Sequence, residues 1–252
     1  MEIDLPKESF ALHGYPVDTA FEKLYLEIRK KEQRIYPDEQ VALLPDISQS
    51  HIHYKEWQLR KISAGRLLGY LKKKNKPLKI LEVGCGNGWL SAKLADIEKT
   101  TVVALDINHV ELKQGASVFG NKTNLYFEYG DIRDEAFAKR EFDIIIFAAS
   151  LQYFPSLARI LRAAVGLLAL KGEVHILDTP LYKDDEIERA RQRTKNYYAL
   201  AGFPEMGVFY YHHPFGGLKH FKHRIMYNPF SALNKLFRKI SPFYWVCIDQ
   251  ST

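Results

Sequence analysis

Apolar runs and helical patterns alternate along residues 78–180, and this alternation limits the possible folds more than any other feature of the sequence. Repeated strand–helix units predict an α/β fold with a Rossmann-like, doubly wound sheet whose strands are mostly parallel. The predicted strands are KILEV (79–83), TVVALDI (101–107), NLYFEYGD (124–131), FDIIIFAA (142–149) and EVHILDT (173–179). The third alternates polar and apolar residues, which indicates a position nearer an edge of the sheet.

Helical periodicity fills the gaps between these runs and continues on both sides of them. Predicted helices cover 17–33, 53–74, 89–98, 110–120, 155–170 and 184–202, the last ended by Gly202. RIMYN (224–228) and PFYWVCI (242–248) predict a final antiparallel strand pair, with a short helix around 231–240 between them.

This order of elements predicts a single domain over residues 1–252. It divides into an N-terminal helical cap (1–77), a ligand-binding core (78–180) and a C-terminal part (181–252). The C-terminal part contains a helix, an aromatic loop and the final strands.

Net charge and cysteine content constrain the partners and the compartment of the protein, but they do not identify its function. Lys and Arg number 36 against 30 for Asp and Glu, so the formal net charge is +6, which suits an anionic partner such as RNA, an acidic metabolite or a membrane surface. Only Cys85 and Cys247 are present, and the N-terminus lacks the layout of a secretion signal. We therefore expect a cytoplasmic protein without membrane insertion.

Three glycines crowd the turn after the first core strand. Gly84, Gly86 and Gly88 allow a tight turn and close approach of a ligand to the backbone. The dinucleotide fingerprint needs its third glycine three residues after the second, where Trp89 stands here, so a dehydrogenase is disfavoured. Asp106 ends the second strand, 22 residues after Gly84, where a carboxylate accepts hydrogen bonds from ribose hydroxyls or opens the next helix.

As an ordered set, five motifs resemble the class I S-adenosylmethionine-dependent methyltransferases. They are LEVGCGNG (81–88), ALDIN (104–108), YGDI (129–132), FDIIIFAASLQYFP (142–155) and LKGEVHILDTP (170–180). The resemblance implies S-adenosyl-L-methionine as the cofactor. It implies that Asp106 binds the ribose, Asp131 the adenine amino group and Glu82 the amino-acid tail. The other implied cofactor-binding residues are Gly84, Cys85, Gly86, Gly88, Ile107, Ile132, Ala148, Tyr54 and Arg60.

The end of the fourth strand is where this family meets its methyl acceptor. AASLQYFP (148–155) lacks the signatures of adenine and cytosine methylation and is similar to enzymes that methylate small metabolites. The catalytic candidates are Tyr153 and two loop histidines, His212 and His213, whose ordinary pKa suits a base near neutral pH. His220 and His223 have no acidic or cysteine partner nearby, so we predict no metal site.

The sequence thus predicts a methyltransferase that acts by in-line displacement on an oxygen or nitrogen of a small molecule. Two alternatives remain open at this stage. One is an RNA methyltransferase that uses the basic surface, although no recognisable RNA-binding module accompanies the core. The other is a cofactor-binding partner protein without catalysis.

Overall fold

The computed structural model describes residues 10–12, 19–231, 234 and 241–250. Within them the strands are β1 (Phe10–Leu12), β2 (Leu78–Val83), β3 (Thr100–Asp106), β4 (Leu125–Tyr129), β5 (Phe142–Ala148), β6 (Leu168–Leu177), β7 (Leu181–Tyr182), β8 (His213–Pro214), β9 (His223–Tyr227) and β10 (Trp245–Asp249). The α-helices are α1 (Thr19–Lys31), α2 (Asp38–Leu43), α3 (Tyr54–Lys72), α4 (Trp89–Ala95), α5 (His109–Phe119), α6 (Leu157–Gly166) and α7 (Ile187–Ala201). Among these helices, none has the length and apolar character that crossing a membrane requires.

Eight strands form one sheet in the order β1–β4–β3–β2–β5–β6–β10–β9. The six strands from β1 to β6 in this order are parallel, whereas β10 pairs antiparallel with both β6 and β9. β7 and β8 form a separate parallel pair. The predicted fold class, including the antiparallel pair at the C-terminal edge, is confirmed.

The central strands are covered on both faces, which explains their nearly continuous apolar sequences. In β2, Ile80 belongs to a core packed among α3, α4 and α5, while the next residue, Leu81, belongs to a core on the α6 side. Both side chains are completely buried. This two-residue alternation between two cores is what a doubly wound sheet requires.

One predicted boundary is wrong. The helix predicted over 155–170 ends at Gly166, and Leu168 already pairs with Phe142 as the first residue of β6. The Phe142 N–H donates to the Leu167 carbonyl at 2.9 Å, so the chain already pairs with β5 at this point. An apolar run fits either a helix or a buried strand, and pairing with β5 decides between them.

The flanking elements mostly follow the predictions. The helices predicted over 17–33 and 53–74 are α1 and α3, and α7 ends before Gly202, whose φ is 83°. Four elements were not predicted: α2, within a segment of little periodicity, β1, which pairs with β4, and the short paired strands β7 and β8. Most of the helix predicted around 231–240 lies outside the described residues.

Candidate active site

A cavity of about 230 Å³ lies at the carboxyl ends of β2, β3 and β5. The chain leaves β2 towards β3 and β4 on one side and returns to β5 and β6 on the other. This reversal of strand order is where open α/β sheets bind their ligands. Helices α1 and α3 supply the remaining walls of the cavity.

The glycine turn forms the floor of the cavity. Gly84, Gly86 and Gly88 all have positive φ, at 74°, 55° and 71°. The Ser150 hydroxyl donates to the Val83 carbonyl at 2.6 Å and thereby fixes the end of β5 beside the turn. Gly84 and Gly86 line the cavity, but Gly88 does not.

Asp106 sits at the end of β3 and holds the glycine turn in place. Its carboxylate accepts the backbone N–H groups of Gly86 at 2.7 Å and Asn108 at 2.8 Å. Asn108, and not Asp106, caps α5 by accepting the N–H groups of Val110 and Glu111. Asp106 lines the cavity, and burial raises the pKa of its carboxyl group. The interpretation of Asp106 as a mere helix cap is therefore wrong.

Glu82 also lines the cavity but is almost completely buried, with 2% of its surface exposed. The Ser91 hydroxyl in α4 donates a hydrogen bond to its carboxylate. Burial raises the pKa of Glu82 to about 8 despite this bond. Without a ligand, the side chain is therefore largely protonated at neutral pH.

Asp131 follows β4 and reaches the cavity with both oxygens already engaged. The Arg133 guanidinium donates to Oδ1 at 2.7 Å and to Oδ2 at 2.5 Å. A ligand amino group at this point has to share the carboxylate with Arg133.

Ten of the twelve predicted cofactor-binding residues line the cavity. They are Arg60, Glu82, Gly84, Cys85, Gly86, Asp106, Ile107, Asp131, Ile132 and Ala148. The other two, Gly88 and Tyr54, lie outside its lining, and Tyr54 instead packs against the core beside Trp57. Burial raises the pKa of the Cys85 thiol, which keeps it protonated and unsuited to nucleophilic attack.

Two tryptophans form part of the cavity wall. The rings of Trp57 and Trp89 meet edge to face, with centroids 5.4 Å apart. Trp57 Nε1 donates to the Tyr36 hydroxyl at 3.0 Å, and the Arg60 guanidinium lies 5.4 Å from the Trp57 ring. Arg60 donates to Glu56 on the same helix at 3.0 and 3.1 Å.

The sequence analysis missed the contribution of α1. Phe21, Tyr25 and Arg29 recur every four residues and present one face of this helix to the cavity. The ring of Tyr153, which follows β5, lies 5.7 Å from the rings of both Phe21 and Tyr25. The spacing of four residues was the available signal, but it is shared by every helix that packs one face against a core.

Glu111 was missed as well. It lies in the first turn of α5, and its carboxylate accepts from the Asn108 side chain at 3.2 Å. Burial raises its pKa to about 7, and Asp106 adds to that rise, while Arg29 and Arg60 oppose it. Six acidic side chains line the cavity, and burial raises the pKa of three of them, Glu82, Asp106 and Glu111, whose charged forms are costly until a cation arrives.

The two candidate histidines lie away from the cavity. His213 is buried with its Nε2 2.9 Å from the Leu151 carbonyl, and His212 Nε2 lies 2.9 Å from the Thr194 hydroxyl. Burial lowers the pKa of both side chains. Because backbone and side-chain contacts hold these rings outside the cavity lining, the expectation that they face an acceptor is not supported. Of the three catalytic candidates, only Tyr153 lines the cavity.

A second cluster of metal-ligand types occurs where β6 meets β10, formed by Glu173, His175 and Cys247. Lys74 binds Glu173 at 2.9 Å and Arg224 binds it at 3.1 Å. His175 Nδ1 accepts from Trp245, so its Nε2 carries the proton and donates to Glu173. These contacts make the cluster an ion-pair network around a single carboxylate.

Comparison with known proteins agrees with this geometry. Residues 80–172 match the family described as a methyltransferase domain, and this segment includes β3, β4, β5 and the glycine turn. Residues 80–172, the greater part of the parallel core, are thus similar to a methyltransferase domain, in agreement with the resemblance to class I methyltransferases. Four of the five sequence motifs contribute residues to the cavity lining, and LKGEVHILDTP (170–180) contributes none.

A curated relative of this methyltransferase domain is 27-O-demethylrifamycin SV methyltransferase from Amycolatopsis mediterranei (strain S699). It is 24% identical over 136 residues, which cover 50% of each chain. The chain therefore matches about half the length of that relative.

Solved methyltransferase structures share the fold over most of the chain. The plantazolicin methyltransferase BpumL, solved with a substrate analogue and SAH, has a TM-score of 0.55 at 14% identity, covering 92% of this chain and 97% of its own. The CurJ carbon methyltransferase has a TM-score of 0.59 at 16% identity, covering 92% and 68%. At these identities the likeness concerns the fold.

Proposed function

We propose that this protein uses S-adenosylmethionine to methylate an oxygen or a nitrogen of a small molecule. The observation that supports the proposal most is the Asp106 carboxylate on the wall of a cavity at the glycine turn of a methyltransferase domain. The cofactor, when bound, supplies an electrophilic methyl group on a sulfonium cation.

The cavity residues fit this cofactor in shape. A Cβ added at Gly86 would meet nothing closer than the Glu111 carboxylate at 3.4 Å, which is ordinary van der Waals contact, so no backbone atom crowds the turn on this side. Asp106 would accept hydrogen bonds from the ribose hydroxyls, and Ile132 would lie beside the adenine ring. Arg60, which also lines the cavity, would bind the carboxylate of the amino-acid tail.

The charges of the cavity fit the cofactor as well. Glu82, Asp106 and Glu111 line a space that would receive a net cation, which would favour their ionised forms. The rings of Phe21, Tyr25 and Tyr153 lie on the same cavity wall. An aromatic face that reaches the sulfonium contributes roughly 0.5 to 2 kcal/mol.

The chain itself would contribute orientation and the exclusion of water. Methyl transfer requires an acceptor atom in line behind the methyl carbon, and a base only where the acceptor holds its proton tightly. Ala148 and Ala149 leave room at the end of β5, and Tyr153 lies beside that space. Burial raises the pKa of the Tyr153 hydroxyl, so it would position the acceptor as a hydrogen-bond donor.

A small acceptor suits this site better than an RNA strand. Helix α1 forms one wall and is tied at both ends, by Glu22 to the His109 N–H at 2.7 Å and by Lys31 to the Ala201 carbonyl at 2.5 Å. The name of the Amycolatopsis relative also indicates a small acceptor and an oxygen atom.

Calorimetry and an activity assay would test the proposal. We expect S-adenosylhomocysteine (SAH) to bind the full chain at one site, and a panel of small acceptors to yield SAH from S-adenosylmethionine. Absence of any adenosyl ligand binding would refute the proposal. Binding without turnover of any acceptor would favour the non-catalytic alternative, and turnover of RNA alone would favour the RNA methyltransferase.

A further inference from the structure

A second chamber of about 220 Å³ adjoins the proposed cofactor cavity. The two spaces share five lining residues, Tyr25, Arg29, Arg34, Glu56 and Tyr153. The chamber is further bounded by residues of α7 and of the segment after it, including Tyr198, Met206 and Tyr210. Because it adjoins the cofactor cavity at Tyr153, which follows the end of β5, we assign it to the methyl acceptor and call it the acceptor chamber.

Most charges in and beside the acceptor chamber neutralise one another. Glu32 binds Arg34 at 3.0 Å, Arg34 binds Glu56 at 2.6 Å, and Glu56 binds Arg60 at 3.0 Å. Two carboxylates and two guanidinium groups thus alternate along one chain of ion pairs. None of these four groups leaves a net charge for a ligand.

Arg29 is different. Among the described residues, its buried Nε has no hydrogen-bond partner, and no carboxylate lies within ion-pair distance of its guanidinium. The guanidinium instead lies 5.3 Å from the Tyr25 ring centroid. Burial opposes its charge, but the more distant Tyr25 hydroxyl and Glu111 keep its pKa above the ordinary value. A buried guanidinium nitrogen without a hydrogen-bond partner is costly, so its presence on the wall of a cavity indicates an anionic ligand.

The tyrosines of the chamber add hydrogen-bond donors to this charge. Burial raises the hydroxyl pKa of Tyr153, Tyr198 and Tyr210 well beyond neutral pH. Protonated phenols donate hydrogen bonds, and their rings present flat apolar surface to a ligand. The chamber therefore combines one guanidinium group outside the ion-pair chain, several donors and aromatic walls.

We propose that the acceptor carries an oxyanionic group, a carboxylate or a phosphate, which Arg29 binds inside the acceptor chamber. This inference rests on the proposed methyltransferase function and adds the chemical class of its substrate. Arg29 would act as a specificity residue, since a charge-assisted hydrogen bond to a buried oxyanion selects against the uncharged analogue.

The proposal can be tested by calorimetry on the full chain saturated with SAH. The probes are 4-hydroxybenzoate and phenyl phosphate, compared with the uncharged methyl 4-hydroxybenzoate and phenol. We expect the better of the two anions to bind at least about tenfold more tightly than either uncharged probe, from the strength of a charge-assisted bond. Which anion binds more tightly distinguishes the carboxylate from the phosphate.

Variants then locate the effect. Arg29→Met keeps the apolar stem and should remove the preference for the anion, whereas Arg29→Lys should retain part of it. Lys30→Met removes the same charge from the exposed side of α1 and should leave the preference intact. Melting curves of each variant check that the fold is kept.

Two results would overturn the proposal. One is equal binding of charged and uncharged probes by the native protein, or an anion preference that persists in Arg29→Met. The other is a loss of about tenfold or more in SAH affinity in Arg29→Met, which would assign the guanidinium to the cofactor. Both leave the proposed function standing, which fails only if the native protein does not bind SAH or methylates no acceptor.

Discussion

Gly88 lies so close to the Phe127 ring that a Cβ at this position would fall 2.4 Å from Phe127 Cε1. The third glycine of the turn thus makes room for β4, behind the cavity. Gly86, two residues earlier, borders the cavity and has no comparable neighbour. Two glycines of one motif therefore serve different purposes, one in packing and one in binding.

We expect Gly88→Ala to destabilise the protein more than Gly86→Ala. Both substitutions incur strain of about 1–2 kcal/mol from positive φ, but Gly88→Ala adds an overlap with Phe127 that costs a further 1–3 kcal/mol, roughly. Gly86→Ala should weaken SAH binding with little further loss of stability. Denaturant unfolding and calorimetry measure the two effects, and equal destabilisation would contradict this division of roles.

Replacement of Asp106 tests the ribose contact. Asp106→Asn keeps the size of the side chain and an oxygen for the Gly86 N–H, but it loses the charge and one acceptor. We expect SAH affinity to fall at least about tenfold. Asp96→Asn on the surface is the matched control, since Asp96 pairs with Lys122 and lies outside the cavity lining. An unchanged dissociation constant in Asp106→Asn would remove Asp106 from the cofactor site.

Glu111 should make the ligand-free protein less stable as pH rises. Its pKa is about 7 in the folded state against an ordinary value of 4.5, so between these values the folded state holds the proton more tightly. The contribution of Glu111 to the unfolding free energy is therefore fully present below pH 4.5. It is lost as the pH rises from there through about 7. Glu111→Gln should remove that loss, which is on the order of 3 kcal/mol.

The measurement is urea unfolding of the native and Glu111→Gln proteins between pH 4.5 and 8. The difference in unfolding free energy should be near zero at the acidic end and greatest above pH 7. Exposed Glu98→Gln serves as the control and should follow the native profile. Glu82, whose pKa is raised to about 8, contributes a slope of the same sign in all three proteins. Parallel profiles for native and Glu111→Gln would show that Glu111 ionises normally.

The ion-pair network around Glu173 should matter for stability and not for binding. Its carboxylate accepts from Tyr70 at 2.8 Å, Lys74 at 2.9 Å and Arg224 at 3.1 Å. Burial raises the pKa of Glu173, but hydrogen bonds from His175, Lys74 and Tyr70 hold it below the ordinary range. Glu173→Ala leaves these donors without their acceptor, at a cost of about 3 kcal/mol. SAH affinity should be unchanged, because the network lies outside the cavity lining.

The exposed pair of Glu188 and Arg191 provides the comparison for this variant. Glu188→Ala removes a carboxylate from a surface pair and should change the unfolding free energy by less than about 0.5 kcal/mol. If Glu173→Ala lowered the unfolding free energy by as little as Glu188→Ala, the network would contribute no more to stability than a surface ion pair.

The core strands, the glycine turn and the place of Asp106 at the end of a strand were predictable because their signals are local. Two-residue alternation and short apolar runs mark the strands, and the spacing from Gly84 to Asp106 follows from one strand–helix–strand unit. The boundary between α6 and β6 was not predictable, since the run around Leu168 fits both elements until β5 pairs with it.

The acceptor chamber was not predictable from sequence. Arg29 lies more than 50 residues before the glycine turn, and its spacing from Tyr25 is that of any amphipathic helix. The expectation that His212 or His213 faces the acceptor rested on residue type, because histidine often acts as a base. Their hydrogen bonds instead hold both rings outside the cavity lining. Which residues face a cavity depends on tertiary packing that no local pattern encodes.

The edge-to-face pair of Trp57 and Trp89 gives the protein its own optical reporter. The chain has three tryptophans, and the third, Trp245, lies in β10 against Tyr70 and His175, away from the cavity. Ultraviolet emission from a Trp245→Phe variant would come from the cavity wall alone. Filling of the cavity would then be followed in real time by intrinsic fluorescence, without any added dye.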